Sequence, residues 1–460
     1  MAGLGIDFGT TNSAVVLYDG ERFTQVVGVM PSALYLDREF QADIGQPAID
    51  RYLRENTDRV VELTAEEVGE VVFTVAGGDE FQGSKQDGGA ITTSVQVHAW
   101  TDAELPGRLF RSVKRWLGSG SIDRVRVFER SYRIVALVTP ILAHLRETVL
   151  SAGAQPDALY LGRPVRYEGR GADANRVAVA RVLEACEHAG FPDPTLYPEP
   201  VAAALSFVAG RPEASERVLL AFDFGGGTLD LTAVRARGKD MTILATHGIG
   251  IGGDAIDRAV YRAAVFPELG SGSMFHRPIG PELKEVPFPF REIGEKLINW
   301  TLAYELNQGD MRALIKQATR ESGETGRKFD RLYELVTKNH AYRVFRAIEA
   351  AKIRLSEDEQ TIIDIPELDL EAPIQRRSFE AMIAPLLDDV DACVEQVLER
   401  AGLDARDVDL VVRTGGSSRI PEVIRRLEER FPGRVVEHDP FTSIAAGLAV
   451  ASYHGYAPAL

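Results

Sequence analysis

The chain has 460 residues, 45% of them hydrophobic and 26% charged, which is enough to bury two or more substantial cores as a globular protein. Sixty-eight acids against 52 bases leave a formal charge of −16, and with no long Lys/Arg block this disfavours nonspecific nucleic-acid binding. Two cysteines, Cys186 and Cys393, and eight scattered histidines show no CxxC, HExxH or other metal-ligand spacing, which argues against disulfides and zinc and for a reducing cytoplasm.

The N-terminus enters a strand within a few residues and carries no basic-then-apolar leader. No uninterrupted apolar run approaches the ~18 residues of a membrane span, so no membrane partner is expected. The first ~35 residues alternate apolar and polar, predicting two or three antiparallel strands with a turn at Asp19-Gly20. Within them lies Gly5-Ile6-Asp7-Phe8-Gly9-Thr10-Thr11-Asn12-Ser13, a hairpin whose glycine-bearing turn has an Asp on one side and Thr on the other. Residues 48–70 read as helical, and residues 75–93, rich in Gly, Gln and Ser, as a surface loop or hairpin tip. Apolar spacing predicts a helix over 139–152, then a strand Ala158-Leu159-Tyr160-Leu161 ending at Gly162-Arg163-Pro164, then a helix over 174–190. Glu199-Pro200 opens a helix of small residues, Val201-Ala202-Ala203-Ala204-Leu205.

The second half restarts with the strand Val218-Leu219-Leu220-Ala221 and repeats the first motif as Phe222-Asp223-Phe224-Gly225-Gly226-Gly227-Thr228-Leu229-Asp230. A glycine run, Gly248 to Gly253, then precedes a helix, and residues 268–292, rich in Pro, Gly and Ser, read as an exposed loop. A long helix is predicted over 326–356, strands near 361–364, a helix over 377–401 and a buried strand at Leu410-Val411-Val412. That strand ends in Thr414-Gly415-Gly416-Ser417-Ser418-Arg419, and a small-residue helix follows over 442–452. Strands alternating with helices in both halves predict an α/β fold with mixed sheets.

The duplicated hairpin carries the chemistry. Glycines let backbone N–H groups approach a polyanion closely. A carboxylate beside a phosphate is repelled unless a hydrated hard cation separates them. Two loops that each combine these features read as a clamp for a magnesium nucleotide.

The ordered set of motifs resembles the actin-like ATPase superfamily, and within it the ATPase domain of the DnaK-type heat-shock chaperones. The resemblance rests on GIDFGTTNS at 5–13, VKRWLG at 113–118, EPVAAAL at 199–205, FDFGGGTLDL at 222–231 and GGSSRIP at 415–421, supported by EAAKIRLS at 349–356. It implies two similar lobes of mixed sheet and helices around a central nucleotide cleft, one formed by 1–210 with 438–460 and the other by 211–437. It implies an ATP-binding, slowly ATP-hydrolysing protein with ATP/ADP and Mg as ligands, whose lobes close on the nucleotide. Asp7 and Asp223 would hold the magnesium through water. Lys114, Glu199, Asp223 and Thr228 would serve hydrolysis, with Asp230 nearby. Gly9, Thr10, Thr11, Asn12, Gly225, Gly226, Gly227 and Thr228 would hold the phosphates, with Gly252 and Gly253 lining the nucleotide site. Glu349, Lys352 and Ser356 would hold ribose and adenine from one side, and Gly415, Gly416, Ser417 and Arg419 from the other.

Three departures qualify the resemblance. The chain stops soon after its last helix, so no peptide-binding domain is expected and a protein client or co-chaperone would act in trans. Ile353 and Phe441 stand where full-length relatives carry an adenine-stacking Arg and an Asp. Alternative functions on the same fold are a small-molecule kinase or phosphatase and an actin-like filament former.

Overall fold

The computed structural model describes residues 2–57, 59, 61, 63–75, 91–102, 104–154, 159–169, 173–191, 193–209, 216–237, 240–438 and 442–458. Two five-stranded sheets dominate it. In the first, the strands run in the order Thr195–Pro198, Leu159–Arg163, Gly3–Phe8, Asn12–Tyr18, Phe23–Pro31. In the second the order is Val435–Glu437, Leu410–Thr414, Arg217–Phe224, Leu229–Arg237, Asp240–Ile249. Each sheet joins three antiparallel strands to two parallel ones, and the parallel pairing begins at the same place, beside the strand that carries the Asp. The helices repeat as well: Ile134–Ser151 and Arg376–Ala401 precede the fourth strand of each set, and Ala174–His188 and Pro421–Arg430 link fourth to fifth. The chain is thus a duplicated α/β fold of the mixed-sheet type expected.

The last helix of each set crosses over. Glu199–Ala209 leaves the first sheet and packs on Arg217–Phe224 of the second. Ser443–His454 leaves the second sheet and packs on Gly3–Phe8 of the first. Small residues make the crossing possible: a Cβ on Gly447 would lie 1.7 Å from the Ala202 carbonyl oxygen. The two helices therefore touch backbone to backbone, at the only place where the halves exchange elements among the described residues.

Each sheet is covered by its own apolar core. Leu4, Ile6, Leu137, Leu145 and Leu161 pack in the first, and Phe222, Phe224, Phe379, Val397 and Val411 in the second. By length and composition alone Ile134–Ser151 could cross a membrane, but eight of its residues, including Leu137, Ile141 and Leu145, are buried against the first sheet. Far from the crossing helices the halves meet again: the Tyr52 hydroxyl donates to the Thr301 carbonyl at 3.0 Å, and Asn307 donates to the Arg59 carbonyl at 2.9 Å.

Three expectations need correction. The helix placed over 48–70 is Gln46–Asn56; Thr57 turns to extended backbone, and Leu63–Val75 is instead a strand paired with Ile91–Asp102. Its β-branched run favours the pleated surface over a helix. The loop placed over 268–292 contains a hairpin, Met274–Ile279 with Glu282–Pro287, turning at Gly280. The single helix placed over 326–356 is two, Gly323–Thr337 and Ala341–Leu355, broken where Asn339 adopts a left-handed φ of 51°. Asn is among the few side chains that accept that conformation. The loop tip expected within 75–93 falls largely on 76–90, which lie outside the described residues, as does Phe441.

Candidate nucleotide site

Both duplicated hairpins end at one cleft of about 540 Å³. In the first, Asp7 pairs with Ala14 and Phe8 with Ser13, leaving Gly9–Asn12 as the turn; in the second, Asp223 pairs with Asp230 and Phe224 with Leu229, leaving 225–228. The turns face each other. A Cβ on Gly226 would lie 3.0 Å from Thr11 Oγ1, and one on Gly227 3.7 Å from Thr10 Cγ2.

Neighbouring elements hold each turn by its carbonyls. Ser32 Oγ donates to the Gly9 carbonyl at 2.8 Å, and the Ser32 amide donates to the Thr11 carbonyl at 2.8 Å. In the second turn the amides of Gly253 and Asp254 donate to the Gly225 and Gly226 carbonyls at 3.0 and 2.7 Å, and Ser417 Oγ donates to Gly225 at 3.0 Å. The carbonyl oxygens that would repel an anion are thus tied back into the protein. Gly252 does not line the cleft. It lies behind the second turn, where a Cβ would come within 2.5 Å of the Gly226 carbonyl oxygen.

Lys114 reaches the cleft from a short 3₁₀ turn, Val113–Trp116, entered through Ser112 at a left-handed φ of 56°. Its Nζ donates to Glu199 Oε1 at 2.6 Å. Burial works against the Lys114 ammonium, but Glu199 and Asp7 outweigh it and hold its pKa above the ordinary lysine value. Glu199 sits on the first turn of its helix, where the dipole favours an anion. Asp7 and Asp223 are each pushed up to about 7. For Asp7 the causes are burial, then the nearby Glu199 and Asp223; for Asp223 they are burial, then Asp230 and Glu199. Burial likewise raises Asp230 to about 6, against the hydrogen bond from Thr228 Oγ1 at 2.8 Å.

Four carboxylates therefore crowd around one ammonium, and Asp7 Oδ1 is buried with no hydrogen-bond partner among the described residues. This donor set fits a cation. No three acidic, His or Cys side chains among the described residues converge to ligate a metal directly, so a cation held by Asp7 and Asp223 would keep water in its shell.

The other end of the cleft is built on Ala341–Leu355 and the loop after Leu410–Thr414. Glu349, Lys352, Ile353 and Ser356 line it from the helix, and Gly415, Gly416, Ser417 and Arg419 from the loop. Gly415 adopts φ 79°, and a Cβ there would strike the Phe224 carbonyl oxygen at 2.4 Å, which explains glycine. Lys352 is not free: its Nζ donates to Asp257 Oδ2 at 2.9 Å, inside a pair in which burial still lifts Asp257 to about 6. Ile353 is 59% exposed and Arg419 forms an ion pair with Glu437 at 3.3 Å.

Of the catalytic, phosphate-, metal- and nucleoside-binding residues expected from sequence, all but Gly252 line this one cleft. Sequence reasoning missed Asp257, Asp254, Arg111, Tyr342 and Phe345, which also line it. A signal existed for two of them: Tyr342 and Phe345 precede Glu349, Lys352 and Ser356 at helical spacing, on one face.

The family model described as Hsp70 protein matches residues 326–453. Over 464 residues the chain is 24% identical to the Chaperone protein DnaK of Halobacterium salinarum, covering 97% of this chain and 55% of that protein. It is also 24% identical over 473 residues to the Chaperone protein DnaK of Thermus thermophilus, covering 97% and 60%, and 27% identical over 288 residues to that of Guillardia theta, covering 60% and 35%. The chain thus spans somewhat more than half the length of the first two relatives. The resemblance to DnaK-type chaperones of the Hsp70 family holds along nearly the whole chain, with its duplicated α/β fold and its motifs at a single cleft.

Proposed function

We propose that the chain is a DnaK-like ATPase that binds a magnesium adenine nucleotide between two lobes and slowly hydrolyses ATP. The observation that carries this reading is the face-to-face approach of the two hairpin turns, Thr10-Thr11 against Gly226-Gly227, each with a desolvated Asp at its base. The names of its relatives support it.

Glycine turns and threonine hydroxyls would cradle the phosphates, while Ser356, Glu349 and Ser417 border the nucleoside. Asp7 and Asp223 would hold the magnesium, which supplies charge neutralisation at the terminal phosphate when bound. Lys114, held by Glu199, is the group placed to stabilise charge as water attacks the γ-phosphorus and the bond to the bridging oxygen breaks. Glu199 would orient that water and take up its proton. Phosphoryl transfer asks little covalent chemistry of the protein, so hydroxyls, backbone donors, one ammonium and a cation suffice.

In this reading the lobes are 1–210 with 438–460, and 211–437. The crossing of Glu199–Ala209 and Ser443–His454 is the hinge, and contacts such as Tyr52 with Thr301 close the far side. The output would be read by a protein client or co-chaperone that prefers one lobe arrangement, since only differential affinity shifts such an equilibrium. The two free, buried cysteines accord with a cytoplasmic setting.

The test is orthophosphate production from ATP. Asp7→Asn and Asp223→Asn should each lower the single-turnover hydrolysis rate at least about a hundredfold, an effect of several kcal/mol. Hydrolysis at the unmodified rate in either variant refutes the clamp.

A further inference from the structure

Behind the phosphate end of the cleft lies a second cavity, of about 680 Å³. Thr10, Lys114, Glu199, Thr228 and Asp230 line both cavities and so form the partition between them. Two hydrogen-bonded pairs span that partition: Lys114 with Glu199 at 2.6 Å, and Thr228 with Asp230 at 2.8 Å. None of the adenosine-side residues Glu349, Lys352, Ser356, Ser417 and Arg419 reaches the rear cavity. Its outer walls instead carry three guanidinium groups, on Arg115, Arg166 and Arg400. Arg115 is paired with Glu168, and Arg400 donates to His247 Nδ1 at 3.0 Å, leaving that imidazole uncharged as burial and the Arg400 charge lower its pKa. Arg166 and Gly250 are exposed at the rim, and a Cβ on Gly250 would meet nothing within 4 Å.

We propose that this rear chamber is the exit route of orthophosphate, an inference that rests on the hydrolysis reading above. When the terminal phosphate is cleaved, ADP still fills the front of the cleft, with its base and ribose between the product and the front opening. The product lies against Thr10, Thr228 and Lys114, which are also the inner wall of the rear chamber. Parting of the Lys114–Glu199 and Thr228–Asp230 pairs opens that wall. Lys114 accompanies the anion past the two carboxylates, and the arginines beyond offer a tetrahedral oxyanion the planar donors it prefers. Release then precedes, and does not require, departure of ADP.

The experiment plugs the rim without touching the nucleotide cleft. Gly250→Cys is labelled with a bulky maleimide; the native Cys186 and Cys393 are buried, with burial pushing each thiol up to about 12, so labelling is selective. In a single turnover, acid quench reads hydrolysis and a fluorescent phosphate sensor reads release. Labelling should leave hydrolysis within about twofold and slow release at least about tenfold, while unlabelled Gly250→Cys releases as the unmodified chain does. Arg166→Glu should slow release several-fold by the same readout. Release that keeps pace with hydrolysis after labelling overturns the route. So does γ-phosphate label found in a third molecule rather than orthophosphate, which would make the chamber an acceptor site. An unlabelled chain that yields no orthophosphate at quench overturns the hydrolysis reading and the route with it.

Discussion

Lys114 stands among Asp7, Glu199, Asp223 and Asp230, and that imbalance governs what single substitutions should do. Removing the ammonium by Lys114→Ala should lower ATP hydrolysis by about 10²–10³-fold, as loss of one charge-stabilising group does. Nucleotide binding should survive, because in the proposed site the turns and a bound magnesium would supply most of the anchoring. Normal hydrolysis in a quenched-flow assay would return Lys114 to a structural partner of Glu199. The same crowding has a consequence for pH. Asp7 and Asp223 titrate near 7 and Asp230 near 6 in the folded chain, all raised from 3.8 by burial. Between about pH 4 and 7 the folded chain therefore binds more protons than the unfolded one, so stability falls as pH rises through that window. The nucleotide-free chain should melt at least about 2 °C lower at pH 7 than at pH 5, and Asp7→Asn should shrink that difference. A melting temperature that rises over this interval contradicts the assignment.

At the scale of elements, the pieces that position the site were the most legible. The two hairpins, the small-residue helices and the glycine loop after Leu410–Thr414 announce themselves because tight turns and close backbone approach admit few residue types. The errors lie where sequence pattern and environment part. Val60 and Val61 among charges prolonged a helix that ends at Asn56. The hairpin 274–287 is mostly exposed on both faces, so it has no apolar alternation to read. The break at Asn339 was signalled only by one residue's tolerance of left-handed backbone. Ala341–Leu355 yields the prediction at this scale. Ile353 is exposed on the cleft wall rather than packed in the core, so of the helix and the glycine loop that form this end of the cleft, the loop's Arg419, half drawn toward Glu437, is the cleft-lining guanidinium they offer a base. A cation over an aromatic face contributes about 0.5–2 kcal/mol. Ile353→Arg should tighten ADP several-fold by calorimetry, and Arg419→Ala should loosen it by more. An unchanged or weaker affinity in Ile353→Arg would mean that this helix does not face the base.

Across the whole molecule, the duplication of five strands and three helices explains why one motif appears twice and why both copies meet. Each set directs its hairpin turn to the same cleft, and the exchange of Glu199–Ala209 and Ser443–His454 fixes the two sets in register through Gly447 and Ala202. The strand order could not be read from the sequence, because parallel neighbours such as Arg217–Phe224 and Leu410–Thr414 are joined through long intervening segments. Nor could the crowding of carboxylates, which depends on both halves at once. That crowding makes the central claim measurable. Calorimetric titration of ADP into the chain should give one site, with affinity at least about tenfold tighter with magnesium than with EDTA, a difference of about 1.4 kcal/mol. Equal affinity with and without magnesium, in a chain shown to be folded, would contradict the two-turn clamp.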